Sequence, residues 1–83
     1  MEPDEVAALI ERGIDGASVA VEPSRMDHDD VHLRAVVVAP AFEGLSLVEQ
    51  HQLVYEALGE HMTTDIHALE LSTFTPEEYE AVT

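Results

Sequence analysis

The sequence predicts an α+β domain in which three strands form a mixed sheet and helices alternate with them in the order α-β-β-α-β-(α). Three observations carry that prediction. Apolar spacing switches between helical and strand periods along the chain, capping-box signatures mark helix starts at Ser46 and Thr75, and a strand–helix–strand unit spans His32 to Leu71. Such a crossover is right-handed in nearly all proteins and places the third strand parallel to the second. The first two strands, joined by residues 22–31, form an antiparallel hairpin, and the helices are expected on one face of the sheet.

The first helix is expected over residues 3–12. Pro3 suits the first helical turn, Asp4 and Glu5 sit at the positive end of the dipole, and Val6, Leu9 and Ile10 share a face. Gly13 supplies a stop. A strand follows over 16–21, where Val19 and Val21 alternate with Ala20. Residues 22–31 are polar and read as loop. Residues 32–39 contain the run Ala35-Val36-Val37-Val38, which suits a central strand or one buried on both faces.

Pro40 ends that strand, and Phe42-Glu43-Gly44 forms a turn in which Phe42 plugs the core and Gly44 is free to take a positive φ. Ser46 caps a helix over 47–61, on which Leu47, Val48, His51, Val54, Tyr55, Leu58 and Met62 recur at helical spacing. A third strand over 66–71 alternates Ile66 and Ala68 with His67, Leu69 and Leu71. Thr75-Pro76-Glu77-Glu78 opens a short C-terminal helix, and its carboxylates read as solvated cap residues. No repeat, linker or low-complexity segment interrupts the order, so residues 1–83 are read as a single domain.

Composition narrows the function classes. At 83 residues the chain supports one small core, and with 46% hydrophobic but only 5% aromatic residues that core is aliphatic. No run approaches the ~20 apolar residues of a membrane span. The acidic start Met1-Glu2-Pro3-Asp4-Glu5 is unlike the basic start of a secretory signal, so a soluble, cytoplasmic protein is expected. Cysteine is absent, which excludes disulfides and any thiolate from this chain; a partner must bring sulfur for soft-metal chemistry. With no nucleophile–base pair or cofactor loop, an enzyme is not expected.

Eighteen acids oppose three arginines (Arg12, Arg25 and Arg34), there is no lysine, and the net charge is −15. Such a chain repels phosphates at low salt. At molar salt the Debye length falls to about 3 Å and most self-repulsion disappears. Because the acids are spread along the chain, the pattern suits a protein of a high-salt cytoplasm, as in a halophile.

Five pieces of the chain together resemble the BolA family. They are Val36-Val37-Val38, Phe42-Glu43-Gly44-Leu45-Ser46, Gln50-His51-Gln52-Leu53-Val54-Tyr55 with Leu58, Ile66-His67-Ala68-Leu69, and Thr75-Pro76-Glu77-Glu78. The resemblance implies a fold similar to class II KH domains, in agreement with the element order. It also implies two non-enzymatic roles. One is partnership with a monothiol glutaredoxin around a shared [2Fe-2S] cluster, for trafficking or sensing of iron. The other is nucleic-acid binding and transcriptional control.

By that resemblance His67 is a metal ligand, and a second comes from the loop between the first two strands, as His28 or His32. A ring nitrogen suits iron, and histidine replaces cysteine in Rieske-type clusters. His28, between Asp27 and Asp29, lies nearer the family's variable ligand position. His32 starts the second strand, where many relatives carry His followed by an aromatic residue; here Leu33 follows. Without the resemblance, two histidines four apart outside a helix are a weak metal motif, and each also reads as a packed or solvated residue. His51, on the apolar stripe, reads as a satisfied structural histidine. Gln50 and Gln52 stand where the family usually has arginines and so remove positive charge from a contact surface. His61 reads as exposed and without a role.

The reading is therefore a binding module that shares its cluster with a partner. The isolated chain holds no cofactor tightly and is a monomer or weak dimer when apo. The runner-up, a KH-like nucleic-acid-binding regulator, lacks the Gly-X-X-Gly loop and has only three arginines to offset its acids. A third reading is a mononuclear metal site made of His28, His32 and His67.

Overall fold

A computed structural model describes residues 2–24, 32–59, 61 and 68–82. Helix α1 spans Pro3–Gly13 and buries Val6 and Ile10. Its start follows the expectation: Pro3 opens the helix, and the Glu2 backbone N–H donates to Glu5 Oε1 at 3.2 Å. Gly13 does something different from stopping the helix, since it is the last residue inside it. A β-carbon there would lie 2.5 Å from Ala57 Cβ, so glycine is what lets this helix approach its neighbour.

Strands β1 (Ser18–Ser24), β2 (His32–Val38) and β3 (Ala68–Phe74) lie in that spatial order. β1 runs antiparallel to β2, from Ser18 opposite Val38 to Ser24 opposite His32. β2 runs parallel to β3, from His32 opposite Ala68 to Val38 opposite Phe74. The mixed sheet and the parallel crossover are those predicted. Two boundaries differ. β1 covers 18–24 rather than 16–21, because an edge strand tolerates Pro23, whose missing N–H is not required on the open side. β3 extends to Phe74 rather than 71, since Ser72 and Thr73 continue the ladder against Val36 and Val37. Its expected start at Ile66 and His67 falls outside the described residues.

Alternation along β2 decides which face is buried. Leu33, Ala35 and Val37 join Val6, Ile10, Ile14, Phe42, Val54 and Leu58 in the core. Arg34 is exposed, and Val36 and Val38 are half-buried. β2 is thus central, yet only one of its faces is fully covered. The short C-terminal helix α3 (Pro76–Val82) also departs from the one-face expectation. Its Tyr79 packs on Phe74 at 5.7 Å between ring centroids. Together with Ser18, Ala20, Val36 and Val38, Tyr79 lines a shallow cavity of about 160 Å³ over the outer face.

Helix α2 spans Leu47–Leu58, where 47–61 is expected, because the backbone turns at Gly59 with φ +57°. Its start is the predicted capping box: Ser46 N–H donates to Glu49 Oε1 at 2.9 Å, and Glu49 N–H donates to Ser46 Oγ at 3.2 Å. Phe42 is fully buried and Gly44 takes φ +80°, both as expected. The predicted apolar stripe is corrected. Gln50, Val54 and Leu58 face the core, whereas Leu47, Val48 and Tyr55 are 60%, 66% and 41% exposed. The turn before α2 leaves carbonyls that need a donor beneath the helix, and turning Gln50 inward supplies it. The resulting topology is α-β-β-α-β-α around a mixed three-stranded sheet.

Candidate functional site

One end of the sheet collects three strand termini. β1 ends at Ser24 opposite His32, β2 begins at His32, and β3 begins at Ala68 opposite the same His32. Adjacent strands lie about 4.8 Å apart, which is the spacing between the His32 and Ala68 backbones that pairing implies. Of the expected ligands, His32 is placed through its backbone as the first residue of β2. His28 and His67 lie outside the described residues. His67 is nevertheless bonded to Ala68, and His28 belongs to the segment that joins Ser24 to His32.

Two pairs further along the same strands, Arg34 Nε lies 3.2 Å from Glu70 Oε2, with the two side chains about half exposed. A solvated pair of this kind contributes about 0–1 kcal/mol and is screened by salt. Its consequence is electrostatic: among the described residues, the arginine nearest this end of the sheet is already matched by a carboxylate. Among the described residues, no three histidine or carboxylate side chains are grouped to hold a metal ion. With no cysteine in the sequence, this end supplies no thiolate ligand.

The opposite end is held by a buried polar network. Gln50 Nε2 donates to the carbonyls of Leu45 (3.1 Å) and Phe42 (3.5 Å), and Gln50 Oε1 accepts from Thr73 Oγ1 at 2.6 Å. Gln50 and Thr73 are 7% and 8% exposed, so of the expected surface pair only Gln52 lies outside. Sequence reasoning misses this role. The available signal is the Gln50-Val54-Leu58 spacing, one helical row that starts four residues after the Ser46 cap. Beside it, the Ser46 backbone N–H and then the Ser46 hydroxyl hold the Glu49 carboxyl below the ordinary glutamate value of 4.5.

The remaining described histidines are also informative. His51 is half-buried and meets Tyr55 edge-on, with ring centroids 6.4 Å apart. Its Nε2 is buried with no hydrogen-bond partner among the described residues, so the expected satisfied histidine is satisfied only in its apolar contacts. His61 is half-buried rather than exposed; it borders a cavity of about 270 Å³ together with Glu5, Leu9 and Arg12.

Comparison with known proteins bears on this arrangement. A family model described as BolA-like protein matches residues 14–78. The chain is 33% identical to BolA-like protein 2 of Mus musculus over 76 residues, covering 92% of this chain and 87% of the mouse protein. It is 42% identical over 50 residues to the DNA-binding transcriptional regulator BolA of Haemophilus influenzae, covering 60% of this chain and 48% of that protein. A 59-residue match at 37% identity covers 71% of this chain but 16% of SufE-like protein 1 of Arabidopsis thaliana. Several curated relatives are thus matched over less than half their length, 31% and 36% in two further cases. The structure of a BolA homologue from Coxiella burnetii superposes with a TM-score of 0.80 at 42% identity, covering 96% of this chain and 97% of that one. Proteins of this kind regulate or scaffold and do not catalyse. The chain belongs to the BolA family, with the BolA-type α+β fold.

Proposed function

We propose that this protein is a binding module that partners a monothiol glutaredoxin and contributes His67, with His28 or His32, to a shared [2Fe-2S] cluster. The observation that carries this reading is the register at one end of the sheet. His32 pairs with Ala68, the residue bonded to His67, and with Ser24, where the segment containing His28 departs. The residues fit a histidine-donating half-site and no more, since the chain offers no thiolate. The partner's cysteine and a low-molecular-weight thiol complete the ligand set, and the bound cluster supplies iron for transfer or sensing. The SufE-like relative supports a place in iron–sulfur cluster biogenesis. On this reading residues 1–83 act as one domain in the cytoplasm, a monomer or weak dimer without the cluster. The spread of acids over a lysine-free chain further supports adaptation to high salt.

Reconstitution with a monothiol glutaredoxin, ferrous iron, sulfide and thiol tests the assignment. The absorption and circular dichroism of a histidine-ligated cluster are expected, and His67→Ala should abolish that signature. An unchanged spectrum in His67→Ala sinks the ligand assignment. Comparison of His28→Ala with His32→Ala then identifies the second ligand.

A second reading, a nucleic-acid-binding regulator on a KH-like scaffold, has one specific observation in its favour: relatives in two bacteria are DNA-binding transcriptional regulators. Against it stand the net charge of −15 and the engagement of Arg34 by Glu70. Saturable, sequence-dependent DNA binding at molar potassium chloride would favour this reading over the first.

A further inference from the structure

Leu47, Val48, His51 and Tyr55 occupy one side of α2, within an arc of about 100° at 3.6 residues per turn. Leu47, Val48 and Tyr55 are 60%, 66% and 41% exposed, and the His51 ring supports Tyr55 from the side. Isolated exposed apolar residues are ordinary on any protein. Here they line up over two turns as a ridge beside the buried Gln50-Val54-Leu58 row. On its other flank run Glu49, Gln52 and Glu56, all exposed. No lysine or arginine follows Arg34 anywhere in the sequence.

We propose that this ridge docks an amphipathic helix of a partner protein whose apolar face is flanked by lysine or arginine. The size suits that occupant: Leu47 to Tyr55 spans about 12 Å of helix axis, enough for anchors at i, i+3, i+4 and i+7 of one facing helix. Charge selects its chemistry. A second copy of this chain would bring the Glu49 and Glu56 row against its own like charges, with no cation on α2 to offset them. Phosphates of nucleic acid or of an anionic membrane meet the same repulsion. A basic flank instead gains complementarity, which raises association rate and fixes register. The ridge starts away from the proposed cluster end. Leu47 and Val48 open α2 just after the turn that follows β2, whereas His32 lies at the other end of that strand.

The test uses the whole protein and a synthetic helical peptide with leucines at i, i+3, i+4 and i+7 and lysines on both flanks. Two controls share its length: one with glutamate in place of lysine, and one with the leucine spacing scrambled. Amide chemical shifts should move at Leu47, Val48, His51 and Tyr55 with the first peptide, and not with either control. Val48→Asp should weaken binding about tenfold or more, a loss of roughly 1.4 kcal/mol. That variant adds a carboxylate, so diffuse attraction to lysine would strengthen instead. Since Val48 is 66% exposed, the fold should survive, and circular dichroism with the milder Val48→Ser checks this. Equal binding of the scrambled peptide, or unweakened binding by Val48→Asp, overturns the proposal. So does a concentration-dependent dimer that Val48→Asp abolishes, or a DNA duplex that shifts the same amides more strongly than the peptide.

Discussion

At Gly13 the side chain is one hydrogen, and the contact of α1 with α2 rests on its smallness. Replacing it with alanine sets two effects against each other. Helix propensity gains about 1 kcal/mol. Against that, the new Cβ would stand 2.5 Å from Ala57 Cβ and 3.0 Å from its Cα, and such overpacking typically costs about 1–3 kcal/mol. The backbone atom cannot swing aside, so the clash wins. Gly13→Ala should lower the urea midpoint, and adding Ala57→Gly should recover part of the loss. A midpoint that rises in the single variant would show that the helices separate at little cost.

At the scale of elements, the start of α2 joins a hydrogen-bond motif to acid sensitivity. The Ser46 N–H, then its hydroxyl, favours the charged form of Glu49, so the folded-state value lies below 4.5. The sign follows directly. The stabilisation is present above the ordinary glutamate value and is lost as pH falls through the lowered one. Glu49→Gln should therefore flatten the fall of Tm in that acid window and leave the slope near neutrality unchanged. Thermal unfolding followed across the acid range checks this; identical acid limbs would remove Glu49 from the account. Both capping boxes are legible in the sequence because each joins residues three positions apart, and the parallel crossover is legible because it follows from the strand–helix–strand order. The rotation of α2 is not, because Gln50 answers to Thr73, remote in sequence. Likewise the reach of β1 through Pro23 depends on its being an edge strand, which only the sheet order reveals. Of the candidate site, the register places the backbone of His32; the ligand roles of His32, His28 and His67 all rest on the family resemblance.

For the whole molecule, charge is the governing property. A net charge of −15 on 83 residues opposes compactness over the full width of the domain, whose Cα radius of gyration is 12.4 Å. At 0.1 M ionic strength the Debye length of about 10 Å leaves much of that repulsion intact, while at 1 M about 3 Å remains. Tm should thus climb as potassium chloride increases, with the steepest rise at low concentration. Sodium chloride at equal ionic strength should give the same early rise, since screening ignores cation identity. A flat Tm over this range would mean that the acids are too well solvated to burden the fold.

The Gln50 side chain has a consequence for how the protein opens. It binds the Phe42 and Leu45 carbonyls of the turn and the Thr73 hydroxyl of β3 from a single position on α2. None of the three segments can leave without exposing an unpaired polar group inside the others. Native-state hydrogen exchange should accordingly report one shared opening free energy for the protected amides of α2, the turn and the end of β3. Thr73→Val should split that group and let the strand end exchange ahead of the helix. In this view a single amide group decides that the helix, the turn and the strand end breathe together.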